Sequence, residues 1–248
     1  MIQLKNDEQI DGIRKSCKLL GALHEDLRGY VKVGMTTKQI DDHCYTFIKD
    51  HKGKPAFLGY MGFPGTACLS VNEEIIHGIP GSRIVNHGDL LSIDLGIDLG
   101  GYFSDAAQSI IVGEGTTQLQ KLNRVTKECL YQAISQVKPG NRISNISKAV
   151  FSHATKNGYG VVKEYCGHGV GLSQHEEPQI PNYVSIGPNP RLKPGMILAI
   201  EPMINMGSRH IKHLNDGWTV ITRDGKPSSH WEHTVLVTED GVEILTAL

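Results

Sequence analysis

Strong net charge, paired cysteines and long apolar runs are all missing from this 248-residue chain. Lys and Arg number 25 against 26 Asp and Glu, a net charge of −1. A nucleic-acid binder working by bulk charge would be strongly basic, so direct nucleic-acid binding is not expected. The five cysteines, Cys17, Cys44, Cys68, Cys129 and Cys166, are odd in number and have no C-x-x-C spacing. That excludes a disulfide framework or zinc ribbon as the organising element, and free, buried thiols are expected. No apolar run reaches the ~18 residues of a membrane helix. The opening Met1–Asn6 leads into a charged segment, so no signal peptide is expected and a cytoplasmic location follows. With 39% hydrophobic and 21% charged residues the composition is that of a globular protein with room for a sizeable core.

What is present is a periodic pattern that occurs twice. Ile10, Ile13, Cys17, Leu20, Leu23 and Leu27 recur at threes and fours and predict an amphipathic helix over 7–30. Thr36-Thr37 offers an N-cap for a second helix with Ile40, Cys44, Phe47 and Ile48 on one face. Strand-like runs follow near 67–71, 89–97 and 102–112. Thr116-Thr117 then opens a long helix through Leu119, Leu122, Val125, Leu130 and Ile134, and Ser144 is placed to cap another. Strands are predicted near 161–165, 196–205, 218–222 and 231–237. Val31-Lys32-Val33-Gly34 matches Val137-Lys138-Pro139-Gly140, and Gly88–Asp94 matches Gly195–Glu201, at offsets that differ by one residue. Two matches in order argue for an internal duplication. The expectation is one domain over 1–248 with pseudo-twofold halves of roughly 1–115 and 116–248. Helices followed by strands indicate an α+β class, with helices packed on a curved, mainly antiparallel sheet.

The repeat places carboxylates inside apolar strands, where an acid is costly unless paired or bound to a cation. Asp98-Leu99-Gly100-Gly101 reads as a hairpin turn. With Leu99-Gly100 as the loop, Asp94 faces Asp105 directly, about 5 Å apart. Glu201 falls in Ile200-Glu201-Pro202, Glu232 in Trp231-Glu232-His233, and His168 between two glycines that let a ligand approach. Four carboxylates and one imidazole exceed what one zinc site uses, and two divalent ions bridged by carboxylates fit the set better.

The segments His77-Gly78-Ile79-Pro80, Ile93-Asp94, Ser104-Asp105, Tyr165-Cys166-Gly167-His168-Gly169, His175-Glu176-Glu177-Pro178, Ile200-Glu201-Pro202-Met203 and Trp231-Glu232-His233-Thr234 together resemble the type I methionine aminopeptidases of bacteria. The resemblance covers nearly the whole chain and implies the pita-bread fold, whose halves are pseudosymmetric. It implies that Asp94 chelates one metal, that Asp105 and Glu232 bridge both, and that His168 and Glu201 complete the other. It further implies Glu201 as general acid–base, His175 as donor to the developing oxyanion, and His77 beside the scissile amide. Tyr60, Phe63, Cys68 and Trp218 would wall a pocket for the methionine side chain. Gln174 stands where related enzymes can carry an aromatic at the pocket rim, and Phe57 where they can carry cysteine, so both bear on pocket shape.

The implied activity is removal of the N-terminal methionine from nascent or newly made chains whose second residue is small. The ions would be cobalt, manganese or iron, with zinc as a further candidate. A monomer acting on a peptide N-terminus is expected, and nothing in the sequence supports ribosome contact. Two other readings remain: a proline-specific peptidase of the same fold, and a non-catalytic binding module. The first usually carries an added N-terminal domain, for which the early first helix leaves no room. The second would have lost ligands.

Overall fold

Asn6 starts the first helix. Its Oδ1 accepts from the Gln9 amide at 2.9 Å, and the Gln9 side chain accepts from the Asn6 amide at 3.0 Å. Such a reciprocal cap stabilises a helix by about 1 kcal/mol. Helix α1 (Asp7–Tyr30) buries Ile13, Cys17, Leu20, Leu23 and Leu27, the stripe expected from their spacing. Thr36 and Gln39 make the same reciprocal cap on α2 (Thr37–Asp50). Thr116 caps α3 (Thr117–Ile134). The last helix, α4 (Ile143–Lys156), begins before Ser144, whose amide is bound by the Asn189 side chain at 3.0 Å, so Ser144 is not the cap. The computed structural model describes residues 1–247.

Each pair of helices is followed by antiparallel strands. In the first half, β1 (Cys68–Val71) and β3 (Tyr102–Ile111) flank β2 (Leu90–Leu99), with the short strand Lys54–Pro55 extending the β1 edge. In the second half, β4 (Cys166–Gly169), β5 (Glu176–Pro181), β6 (Ile197–Ile200), β7 (His233–Val237) and β8 (Val242–Ile244) form a sheet in the order β8-β7-β6-β4-β5. Shorter strands form two further three-stranded sheets. One apolar cluster joins α1 and α2 to β1–β3, and a second joins α3 and α4 to the second-half strands. A third, built from Ile13, Cys17, Val170, Ile197, Ala199, Leu236 and Leu245, bridges them.

Hydrogen bonds close the seam between the two sheets. The Thr234 hydroxyl donates to the Asp105 carbonyl at 2.7 Å and accepts from the Asp105 amide at 3.2 Å. The Glu232 amide donates to the Ala107 carbonyl at 2.9 Å, and the Ser109 hydroxyl to the His230 carbonyl at 2.8 Å. The middle of β3 is thereby tied to the segment that carries Glu232.

Three expectations need correction. The β2–β3 turn is Gly100-Gly101, with φ of 68° and 91°, and not Leu99-Gly100. The register moves by two residues, so Asp94 pairs with Ala107 and Asp105 with Gly96. Asp94 and Asp105 are therefore diagonal neighbours on one face, which separates the two charges further than direct opposition would. Two long strands are also interrupted. The run 196–205 divides into β6 and Met203–Asn205, leaving Glu201-Pro202 between them. The run 231–237 starts at His233, with Trp231-Glu232 lying between β7 and Ser228–His230. Both second-half acids thus sit at strand breaks, not within strands.

The glycines beside His168 have a different reason from the one expected. A Cβ at Gly167 would lie 2.3 Å from the Ala199 carbonyl oxygen, and one at Gly169 2.4 Å from that of Glu177. They permit β4 to run between its two neighbouring strands, and the imidazole is placed as a consequence.

Candidate active site

One cavity of about 240 Å³ opens where the two sheets meet. All eleven site residues named from the sequence line it: Tyr60, Phe63, Cys68, His77, Asp94, Asp105, His168, His175, Glu201, Trp218 and Glu232, joined by Phe57 and Met61. A second cavity of about 260 Å³ lies behind the Trp231–His233 segment. Its lining mixes Arg28, Lys127, Tyr131 and Trp231 with alanines, and it has two acids, Glu25 and Glu232, against four in the first cavity.

The floor of the first cavity is acidic. Asp105, His168 and Glu232 each direct a ligand atom to within 4.8 Å of the others. His168 Nε2 lies 3.6 Å from Asp105 Oδ2 and 3.7 Å from Glu201 Oε1. Its Nδ1 is 2.9 Å from the Gly169 carbonyl and must donate to it. That fixes the tautomer and leaves the Nε2 lone pair facing the acids, as a metal ligand requires. Asp94 projects from β2 on the same face as Asp105.

Burial and mutual repulsion hold these acids far from their usual protonation range. Asp94 is pushed up to about 7 by burial. Asp105 and Glu232 rise well above the carboxylate range through burial and the neighbouring acids, and Glu201 through burial and Asp94. Burial, and then His175, lowers His168 to about 3, so its ring is neutral. Asp94 Oδ1, Asp105 Oδ1 and Glu232 Oε1 are buried without a hydrogen-bond partner. Orphaned oxygens on clustered acids beside an imidazole lone pair fit divalent cations, which would replace the protons that otherwise neutralise the cluster.

Above the floor stand two histidines. His175 Nδ1 is 3.0 Å from the Tyr60 hydroxyl. With that hydroxyl donating, Nε2 carries the ring proton and is a hydrogen-bond donor. Its ring centroid is 4.2 Å from that of His168. His77 follows strand Glu74–Ile76 with φ +58°, a strained backbone for a non-glycine residue, and such outliers cluster at functional sites. Gly78 makes this turn possible, since a Cβ there would lie 2.4 Å from the Leu69 carbonyl oxygen. The His77 ring meets Tyr165 and Trp218 edge-on at 5.5 and 6.2 Å, and burial lowers it to about 4.

The remaining wall is apolar. Phe63 and Trp218 pack edge-to-face at 5.1 Å, and Tyr60 and Met61 form the exposed mouth. Cys68 pairs with Asp94 in register, and burial and that acid raise its thiol well above the usual range, so it stays neutral and acts as wall.

Gln174 does not stand at the rim. It is 2% exposed, and its Nε2 donates to Asp105 Oδ2 at 2.5 Å beneath the cavity. Sequence reasoning also missed His230, buried with Nε2 3.7 Å from Glu201 Oε2. Its position two residues before Glu232 was the available signal. Met61, a second omission, carries no pattern in the sequence that would mark it.

Residues 11–239 match the model of metallopeptidase family M24. The chain is 48% identical over 246 residues to methionine aminopeptidase 1 of Bacillus subtilis, covering 99% of each. It superposes on the crystal structure of methionine aminopeptidase from Thermotoga maritima with a TM-score of 0.97, at 39% identity, covering 100% of both chains. Prolidase from Pyrococcus furiosus shares the fold, with a TM-score of 0.78 at 24% identity, and 99% of this chain covers 65% of that one.

Proposed function

Because the chain belongs to metallopeptidase family M24, in its branch of methionine aminopeptidases with the pita-bread fold, we propose that Asp94, Asp105, His168, Glu201 and Glu232 hold two divalent ions that serve removal of the N-terminal methionine. That activity is what its full-length likeness to methionine aminopeptidases carries, and neither a proline-specific peptidase nor a non-catalytic module is favoured. The observation supporting the site is the convergence of four carboxylates, three of them buried with orphaned oxygens, at the base of an aromatic- and sulfur-lined cavity.

Asp94 would chelate one ion, Asp105 and Glu232 bridge both, and His168 and Glu201 complete the second. Manganese, iron or cobalt suits this oxygen-rich set, with zinc as a further candidate. Bound ions would polarise the scissile carbonyl and lower the pKa of an attacking water. Glu201 accepts the proton from that water and passes it to the leaving amine. His175 donates from Nε2 to the oxygen on which charge develops, with Tyr60 holding its ring. His77 contacts the scissile amide from the opposite wall. Phe63, Cys68, Trp218 and Tyr60 receive the methionine side chain, whose sulfur gains about 0.3–1.5 kcal/mol from each aromatic contact. We read 1–248 as one catalytic domain of two halves, acting as a cytoplasmic monomer on peptide and nascent-chain N-termini. Among the described residues no helix is long and apolar enough to cross a membrane.

The second residue of the substrate passes the His77 wall, where the strained turn leaves little freedom. With Mn²⁺ added, Met-Ala-Ser is expected to be cleaved with a kcat/KM at least roughly 10–200-fold above that of Met-Leu-Ser, the range that a single methylene gives in a tight pocket. Comparable values for the two peptides, or faster release of leucine than methionine from matched peptides, would refute this reading.

A further inference from the structure

Gln174 precedes His175 on the loop between β4 and β5, yet the two side chains serve opposite sides of the site. His175 lines the cavity, whereas the Gln174 amide is buried beneath it and donates to Asp105 Oδ2 at 2.5 Å. That oxygen is the one 3.6 Å from His168 Nε2. Space for the amide comes from the residue paired with Asp105, which is Gly96. A Cβ at Gly96 would lie 3.0 and 3.1 Å from Gln174 Oε1 and Nε2, and 2.8 Å from the Ser104 carbonyl oxygen. The same oxygen Oε1 is buried with no partner, so the amide is held there by the single bond to Asp105.

The loop carrying Gln174 is itself fixed. Glu176 Oε1 accepts from the Leu172 and Ser173 amides at 2.7 and 3.1 Å. Glu176 Oε2 pairs with Lys5 Nζ, and both side chains are almost completely buried. The Gly171 carbonyl accepts from the Phe103 amide, two residues before Asp105, at 2.8 Å. A buried ion pair and a strand contact therefore set the loop's height over β3, and the loop sets the amide against one carboxylate oxygen.

We propose that Gln174 is a positioning residue for metal binding, orienting the Asp105 carboxylate by a buried amide hydrogen bond and coupling it to the loop that carries His175. The proposal rests on Asp105 being a metal ligand. A donor fixed on one oxygen selects the rotation of the carboxylate about its Cβ–Cγ bond. A bridging ligand must present both oxygens in one orientation, and without the amide that orientation has to be ordered when the metal binds. Such supporting hydrogen bonds typically contribute 10–100-fold in metal affinity or activity.

The test is calorimetric titration of the metal-free protein with Mn²⁺. Gln174→Met keeps the side-chain length and removes the donor, and Gln174→Asn keeps an amide but withdraws it by one methylene. Both are expected to bind Mn²⁺ about 10–100-fold more weakly than wild type, with melting temperatures in EDTA close to wild type. At saturating Mn²⁺ their kcat for Met-Ala-Ser should return to within several-fold of wild type, since the defect lies in holding the ion. Wild-type Mn²⁺ affinity in either folded variant would overturn the proposal. So would a kcat that stays low at full Mn²⁺ occupancy, which would mean that Gln174 acts through His175. Asp105→Ala in the same titration separates the two claims. If it binds Mn²⁺ like wild type, the ligand assignment fails. If it loses Mn²⁺ while both Gln174 variants keep it, only the role of Gln174 fails.

Discussion

Asp105→Ala is expected to lose both metal and turnover. Asp105 is 3% exposed, held at its backbone by Thr234 and at its side chain by Gln174, with Oδ1 left unpaired toward the other acids. Removing a ligand shared by two ions withdraws support from each, so Mn²⁺ binding should fall below detection at micromolar concentrations. Activity on Met-Ala-Ser should drop by at least about 10³, since metal activation of water and carbonyl goes with the ions. In EDTA the stability of the variant relative to wild type should depend on pH. Asp105 has its protonation raised well above the carboxylate range by burial and by Asp94 and Glu201. For an acid raised in this way, the stabilisation is full below the unfolded value and is lost as pH rises through the folded one. As pH rises, wild type in EDTA must ionise Asp105 beside the other acids and the variant need not, so the difference between their melting temperatures should move in the variant's favour with rising pH. Inductively coupled plasma metal analysis, melting curves in EDTA and peptide turnover check the three parts. Retention of metal at wild-type stoichiometry would remove Asp105 from the ligand set.

His175→Ala should separate chemistry from metal binding. Nδ1 of the ring faces the Tyr60 hydroxyl at 3.0 Å, and the ring lies tilted at 51° to His168 with centroids 4.2 Å apart. One donor to a developing oxyanion is worth about 10²–10³ in kcat. A fall of that size is expected, with KM changed much less, because the contact forms mainly in the transition state. Metal content should match wild type. Near-normal kcat would make His175 a loop residue without a role in the reaction. Loss of metal would make it a ligand.

How much of this was readable in the chain depends on what kind of signal each residue leaves. The four helices were legible because their buried stripes and most of their caps are local: Thr36 and Thr116 bind amides three residues ahead. Ser144 failed because its partner, Asn189, lies 45 residues away. Antiparallel pairing and the duplicated order of elements followed from apolar runs and two matched segments. The register of β2 and β3 did not, because a turn of two consecutive glycines allows more than one loop position, and shifting by one position on each strand keeps the same faces buried. The ligand residues stood out as acids in apolar surroundings, but the strand breaks at Glu201-Pro202 and Trp231-Glu232 were hidden by the continuity of those runs.

Gln174 and His230 left the weakest trace. A lone buried amide and a lone buried imidazole are recognised only by what they touch, and Asp105 is 69 residues from Gln174 in sequence. The cavity wall was intermediate. Phe63, Cys68 and Trp218 were named through motif resemblance, whereas Met61 reaches the cavity mouth through a left-handed residue, φ +49°, that no spacing rule marks.

Anomalous diffraction from crystals of the protein soaked in Mn²⁺ tests the metal assignment most directly. The predicted result is two peaks about 3.5–4 Å apart, one contacted by Asp94 and the other by His168 and Glu201, with Asp105 and Glu232 reaching both. A peak located away from these five side chains, or no peak at saturating Mn²⁺, would contradict it.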